Sequence, residues 1–233
     1  VAQRLLELLA RPYLIANSTV HSSASIGIVA SEHAADDADT VLRDADTAMY
    51  EAKRAGRGRW VMFDAAMHER IARQVGLEND LRSGLERGQL FVVYQPVVDL
   101  TTGLTCGVEA LARWNHPLRG LVPPVEFIPV AEESGLIGAV GDFVLEAACA
   151  QFVQWQSLFD GQTRPVLAVN LSRAQLRLPG LVAGVRATLQ RSGLEAHCLQ
   201  LEVTESLAAQ DEQVQSTLRE LKAIGVKLAL DDF

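Results

Sequence analysis

The chain has 233 residues, which allows one large domain or two small ones at about 100–200 residues per domain. Hydrophobic residues make up 48%, charged residues 21% and aromatics 6%, values that exclude a disordered, collagen-like or disulfide-scaffold chain. The net charge of -8, from 21 Lys+Arg against 29 Asp+Glu, argues against a nucleic-acid polymer as partner, because such binding needs a basic footprint. A small anion held by a few local cations or by metal ions is still allowed. No apolar run approaches the roughly 18 residues of a membrane span, and no signal peptide opens the chain.

Taken in order, the pattern starts with a helix over Gln3–Ala10, apolar at Leu5, Leu6, Leu8 and Leu9 and stopped by Pro12. Strands at Tyr13–Ala16 and Val20–Val29 flank Asn17-Ser18, which predicts a hairpin. Acidic residues from Asp36 to Asp39 start a helix carrying Val41, Leu42, Ala45, Ala48, Met49 and Ala52, with Gly56 as its stop. A short strand follows at Trp60–Phe63. A long linking helix, His68 to Arg87, carries a stripe of Ile71, Val75, Leu77, Leu81 and Leu85.

Beyond Gly88 strands and helices alternate. Strands Leu90–Leu100 and Leu104–Trp114 meet at the turn Thr101-Thr102-Gly103. Helices Pro124–Glu133 and Gly138–Gln156 follow, the second with Val140, Phe143, Val144, Ala147, Gln151 and Trp155 on one face. Then come strand Pro165–Asn170, helix Gly180–Arg191, strand Cys198–Val203, helix Asp211–Ile224 and strand Val226–Asp231. Repeated strand–helix units with short connections predict a parallel α/β architecture, as a barrel or a doubly wound sheet. Both ends read as interrupted: Val1 sits inside a helical pattern, and Phe233 follows a core strand. The expectation is a fragment of a longer protein.

Cys106, Cys149 and Cys198 are odd in number and far apart, with no C-x-x-C pair, so reduced thiols in a cytosolic compartment are expected rather than a zinc site. No histidine pair has metal-ligand spacing. Carboxylates and an amide instead stand at strand ends: Glu109, Asn170, Glu202, Asp231 and Asp232. Functional groups of parallel α/β folds gather at such ends. Clustered carboxylates repel unless a cation joins them, and oxygen donors suit Mg²⁺, Mn²⁺ or Ca²⁺. Five donors are enough for a pair of metals, an arrangement suited to in-line phosphoryl displacement. Each residue alone reads more readily as a helix cap or a solvated loop group, and it is the set that points to metal.

The segment Gly107-Val108-Glu109-Ala110-Leu111-Ala112-Arg113-Trp114-Asn115-His116-Pro117 resembles the signature of the EAL family of cyclic di-guanylate phosphodiesterases. Tyr94-Gln95-Pro96, Phe127-Ile128-Pro129, Val169-Asn170-Leu171-Ser172, Glu202-Val203-Thr204-Glu205-Ser206 and Leu230-Asp231-Asp232-Phe233 follow the family's order. The opening residues resemble the last part of a GGDEF diguanylate cyclase domain, through Ser23-Ala24-Ser25-Ile26-Gly27-Ile28 and Ala45-Asp46-Thr47-Ala48-Met49-Tyr50-Glu51-Ala52-Lys53. The resemblance implies an α/β fold: an incomplete modified (β/α)8 TIM-like barrel with one antiparallel strand, preceded by a partial α+β GGDEF domain. The expected boundaries are 1–66 for the GGDEF part, 67–87 for the linking helix and 88–233 for the barrel.

The resemblance further implies hydrolysis of cyclic di-guanylate to the linear dinucleotide with two Mg²⁺ or Mn²⁺ ions. Glu109, Asn170, Glu202, Asp231 and Asp232 take the place of the metal ligands. Arg113 takes that of a phosphate contact, and Gln95 and Leu111 line the substrate pocket. Glu205 steadies the loop after the paired aspartates, and Lys53 and Arg57 stand at vestigial phosphate positions of the cyclase part. The family's lysine and water-activating glutamate fall past Phe233. The 233-residue piece alone is therefore expected to hydrolyse little and to aggregate. A receptor that binds without cleaving and a bifunctional cyclase/phosphodiesterase are the alternatives. A homodimer through the EAL part, a cytoplasmic location and a membrane anchor upstream in the parent are compatible with the family. Trp114 and His116 read as packing and loop residues.

Overall fold

The structure is a computed structural model that describes residues 1–16, 18–30, 37–159, 165–204 and 212–231. Asp36, Glu205, Asp232 and Phe233 lie outside the described residues, and Asp231 is described by its backbone alone. The chain forms two units, Val1–Val75 and Gly76–Phe233.

In the first unit, α1 (Ala2–Leu9) buries only Leu6, while Leu5, Leu8 and Leu9 are exposed. Strand β1 (Tyr13–Ile15) pairs antiparallel with β2 (Ser18–Val20), as the turn residues predict. The single strand expected over Val20–Val29 is divided. His21 to Ser25 is polar and unpaired, and β3 (Ile26–Ile28) pairs instead with β4 (Trp60–Met62), in parallel. Helix α2 (Ala38–Arg54) starts where the Asp37 carboxylate accepts a hydrogen bond from the Thr40 amide at 2.8 Å. That bond holds the Asp37 carboxyl below its ordinary range. Gly56, at φ 106°, supplies the left-handed turn that ends the helix. Ala48 packs with Phe63 and Met67 in a small core, against which Val29 and Val61 lie.

Helix α3 (Ala66–Glu86) begins in the first unit and ends in the second. Leu77 and Leu81 are buried, whereas Val75 is 55% exposed. Leu77, Leu81 and Leu85 recur at helical spacing, and Val75 falls on another side of the helix from Leu77.

The second unit is built on a sheet of β5 (Leu90–Val98), β6 (Thr105–His116), β7 (Gly120–Val122), β8 (Val166–Asn170), β9 (Leu199–Thr204) and β10 (Lys227–Asp231). The spatial order is β10-β9-β8-β6-β5, with β7 paired to β6 as well. The β5/β6 hairpin is antiparallel, and β6, β8, β9 and β10 are mutually parallel. Its turn is held by the Asp99 carboxylate, which accepts hydrogen bonds from the Thr101 and Thr102 amides at 2.8 and 2.9 Å. The sheet is open. Together with its helical layer it is part of an incomplete TIM-like barrel, and β5 is its antiparallel member.

Alternation with a period of two decides which face is buried. Val108, Ala110, Trp114, Leu167, Val169, Leu199, Leu201 and Val203 form one buried face. Against it lie α4 (Pro124–Glu133), α5 (Ile137–Trp155), α7 (Leu181–Ser192) and α8 (Glu212–Ala223), which contribute Phe127, Val140, Val144, Phe152, Val185, Val214 and Leu221. Each fully buried Leu, Val or Phe contributes roughly 1.5–3 kcal/mol. The buried stripe of α5 runs through Val140, Val144, Ala148 and Phe152, not through Ala147 and Gln151 as expected. This helix is apolar on several sides and touches both sheet and helices, so periodicity alone leaves its rotation open. The four-residue α6 (Arg173–Leu176) was not anticipated. It is a capping box in which Ser172 and Gln175 bond each other's backbone amides, a signal present in Ser172-Arg173-Ala174-Gln175.

Gly107 on β6 pairs with Val166 on β8. A Cβ there would stand 2.2 Å from the Val166 carbonyl oxygen, a backbone atom that cannot move without breaking the ladder. Gly107→Ala is expected to cost about 2 kcal/mol or more, read as a lower urea midpoint, whereas an unchanged midpoint would show that the ladder tolerates the methyl group.

Candidate functional site

The face of the sheet turned away from the helices carries the polar residues. In β6, Glu109, Leu111 and Arg113 alternate with the buried Val108, Ala110 and Trp114. Register extends this face across the strands. Gln95 pairs with Glu109 from β5, Glu109 pairs with Ala168, and two residues beyond Ala168 lies Asn170, which pairs with Glu202. On β10, Ala229 pairs with Glu202 and Asp231 pairs with Thr204, which puts Asp231 in the same row by its backbone.

Glu109, Asn170 and Glu202 therefore come together from three neighbouring parallel strands, near the carboxyl ends of their shared ladder. The Asn170 amide donates to the Glu109 carboxylate at 2.6 Å, a charge-assisted bond. Glu109 and Glu202 are half-buried, while Asn170 and Gln95 are exposed. Leu111 and Arg113 continue the face along β6. The Arg113 guanidinium folds back and donates to the Ala112 carbonyl at 2.8 Å. Lys53 and Arg57 belong to the first unit, on either side of the Gly56 stop.

Gln200 was missed from sequence. Its amide donates to the Glu202 carboxylate at 2.9 Å. The signal was available, because residues two apart on a strand share a face. Lys227 also joins this face, opposite Gln200.

The donor set is two carboxylates and an amide oxygen, with no Cys or His among the described residues of that row. Hard oxygen donors of this kind fit Mg²⁺ or Mn²⁺. A cavity of about 270 Å³ is lined by Val140, Val144, Val169 and Leu201 and also by Leu111, Arg113 and Asn170. At its rim burial pushes the Asp142 carboxyl up, Glu146 adds to that, and Arg191 opposes it.

The family model that describes the EAL domain matches residues 78–233. The chain belongs to the EAL domain family. The model for the diguanylate cyclase GGDEF domain matches residues 1–59. A bifunctional diguanylate cyclase/cyclic di-GMP phosphodiesterase of Pseudomonas aeruginosa, MucR, is 42% identical over 234 residues, covering 100% of this chain and 34% of that protein. The cyclic di-GMP phosphodiesterase PdeR of Escherichia coli is 37% identical, over 100% of this chain and 35% of its own length. The chain thus spans about a third of the length of these curated relatives. Among solved structures, the MucR phosphodiesterase in complex with c-di-GMP superimposes with a TM-score of 0.63 at 45% identity, covering 68% of this chain and 64% of that one.

Asn170→Ala removes the donor to Glu109. Because Asn170 is exposed, the expected loss is only about 1 kcal/mol, measurable by urea unfolding, and a loss above about 3 kcal/mol would mean the bond holds the fold rather than the site.

Proposed function

We propose that the protein to which this chain belongs hydrolyses one phosphodiester bond of cyclic di-guanylate, giving the linear dinucleotide. The observation that carries the reading is the row of Glu109, Asn170 and Glu202 on one face of the parallel strands, joined by the Asn170–Glu109 bond. Membership of the EAL family and the c-di-GMP complex of the MucR phosphodiesterase support it.

In this reading Glu109, Asn170, Glu202, Asp231 and Asp232 would hold two Mg²⁺ or Mn²⁺ ions, which supply Lewis-acid activation of water and phosphate. Arg113 leaves its place against the Ala112 carbonyl to pair with a phosphate oxygen, for which its planar fork is suited. Gln95 and Leu111 bound the dinucleotide on the β5 and β6 side. Gln200 orients Glu202 by donating to its carboxylate. Glu205 steadies the loop after the paired aspartates, and Lys53 and Arg57 are remnants of nucleotide-phosphate contacts. We assign 1–66, 67–87 and 88–233 to the GGDEF part, the linking helix and the barrel. The three cysteines are free thiols, which supports a reducing, cytoplasmic setting. No described helix is long and apolar enough to cross a membrane.

Two measurements on the intact protein test this. Glu109→Ala is expected to lower the rate of cyclic di-guanylate hydrolysis by at least about 100-fold, and retained turnover would overturn the assignment. Mg²⁺ or Mn²⁺ is expected to raise the melting temperature of the unaltered protein, and to raise it much less in Glu109→Ala. An equal shift in both would place the ions elsewhere.

A further inference from the structure

His116 ends β6 and is 5% exposed, yet each of its ring nitrogens is engaged. Nδ1 accepts from the backbone amides of both Leu118 and Arg119, at 3.1 Å each. A nitrogen that accepts carries no proton, so in the neutral ring the proton sits on Nε2. Nε2 faces the Asp80 carboxylate on α3 at 3.1 Å, and Arg119 reaches the same oxygen at 3.7 Å. The Trp114 ring meets the imidazole nearly edge-on, with centroids 5.3 Å apart. Trp114 is itself fixed. Its indole donates to Gln89 at 3.2 Å, and it packs against Gly84, where a Cβ would stand 2.8 Å from the indole nitrogen.

We propose that His116 is a positioning residue for the dinucleotide site: Asp80 holds its ring as the Nε2–H tautomer, so that Nδ1 clamps the turn from β6 to β7 and with it the strand end that presents Arg113. The turn joins strands that pair Trp114 with Val122, Asn115 with Leu121 and His116 with Gly120. Arg113 immediately precedes the first of these pairs and points to the other face. If the turn loosens, β6 loses its β7 partner next to Arg113, and the guanidinium loses its fixed base. The function assigned to Arg113 rests on the reading above, whereas the tautomer and the clamp rest on geometry alone.

The test uses the intact protein labelled with ¹⁵N-histidine, with the His116 signals assigned by their loss in His116→Asn. Imidazole nitrogen shifts should show Nδ1 unprotonated and Nε2 protonated. That pattern should persist in Asp80→Asn, which keeps an acceptor, and become a tautomer mixture in Asp80→Leu. Amide exchange at Leu118 and Arg119 should be slow, fast in His116→Ala, and partly restored in His116→Asn, whose side-chain oxygen can replace Nδ1. Cyclic di-guanylate affinity should fall about tenfold in His116→Ala and recover in part in His116→Asn. A proton found on Nδ1 overturns the proposal. So does unchanged affinity in His116→Ala while Arg113→Ala binds more weakly. Unchanged affinity in Arg113→Ala overturns the reading of the site instead, and the nitrogen shifts and exchange rates then still decide whether the clamp exists.

Discussion

The parallel pairing of β6 with β8 is the joint on which the second unit depends. It requires a residue without a side chain at Gly107, because the Val166 carbonyl occupies the space a Cβ would need. The same pairing sets Glu109 beside Ala168 and so brings Asn170 within bonding distance of the Glu109 carboxylate. One close backbone approach therefore governs both the packing of the apolar face and the meeting of polar groups on the other.

The two faces obey different physics. Apolar residues on the helix side are removed from water and supply stability. On the opposite side two carboxylates share a row, and they are made tolerable by partial exposure and by amide donors, Asn170 to Glu109 and Gln200 to Glu202. Those donors neutralise no charge. They orient the carboxylates and leave their charge available, which is the condition a cation site needs.

Much of this was legible in the sequence because strand alternation is a strong signal. Leu199, Leu201 and Val203 against Glu202 could be sorted into faces without coordinates, and the structure sorts them the same way. The rotation of α5 was not legible, since a helix surrounded by apolar neighbours has no single polar side to betray it. The short β7 was also missed. Three residues carry too little pattern, and its existence depends on the His116 turn, which sequence spacing does not reveal. Gln200 escaped for a different reason: attention to charged strand ends passes over an uncharged amide two residues earlier.

The two outer strands of the sheet are unequal. Among the described residues β5 and β10 each have one hydrogen-bonded neighbour. Strand β5 contains Pro96, which has no amide hydrogen to offer, and its register shifts between Val97 and Val98. Strand β10, Lys227–Asp231, has neither safeguard, and Leu230 on it is 44% exposed. Strand addition to this sheet therefore has a direction. A further extended segment finds usable donors and acceptors along β10, whereas at the opposite border proline and irregular pairing turn it away.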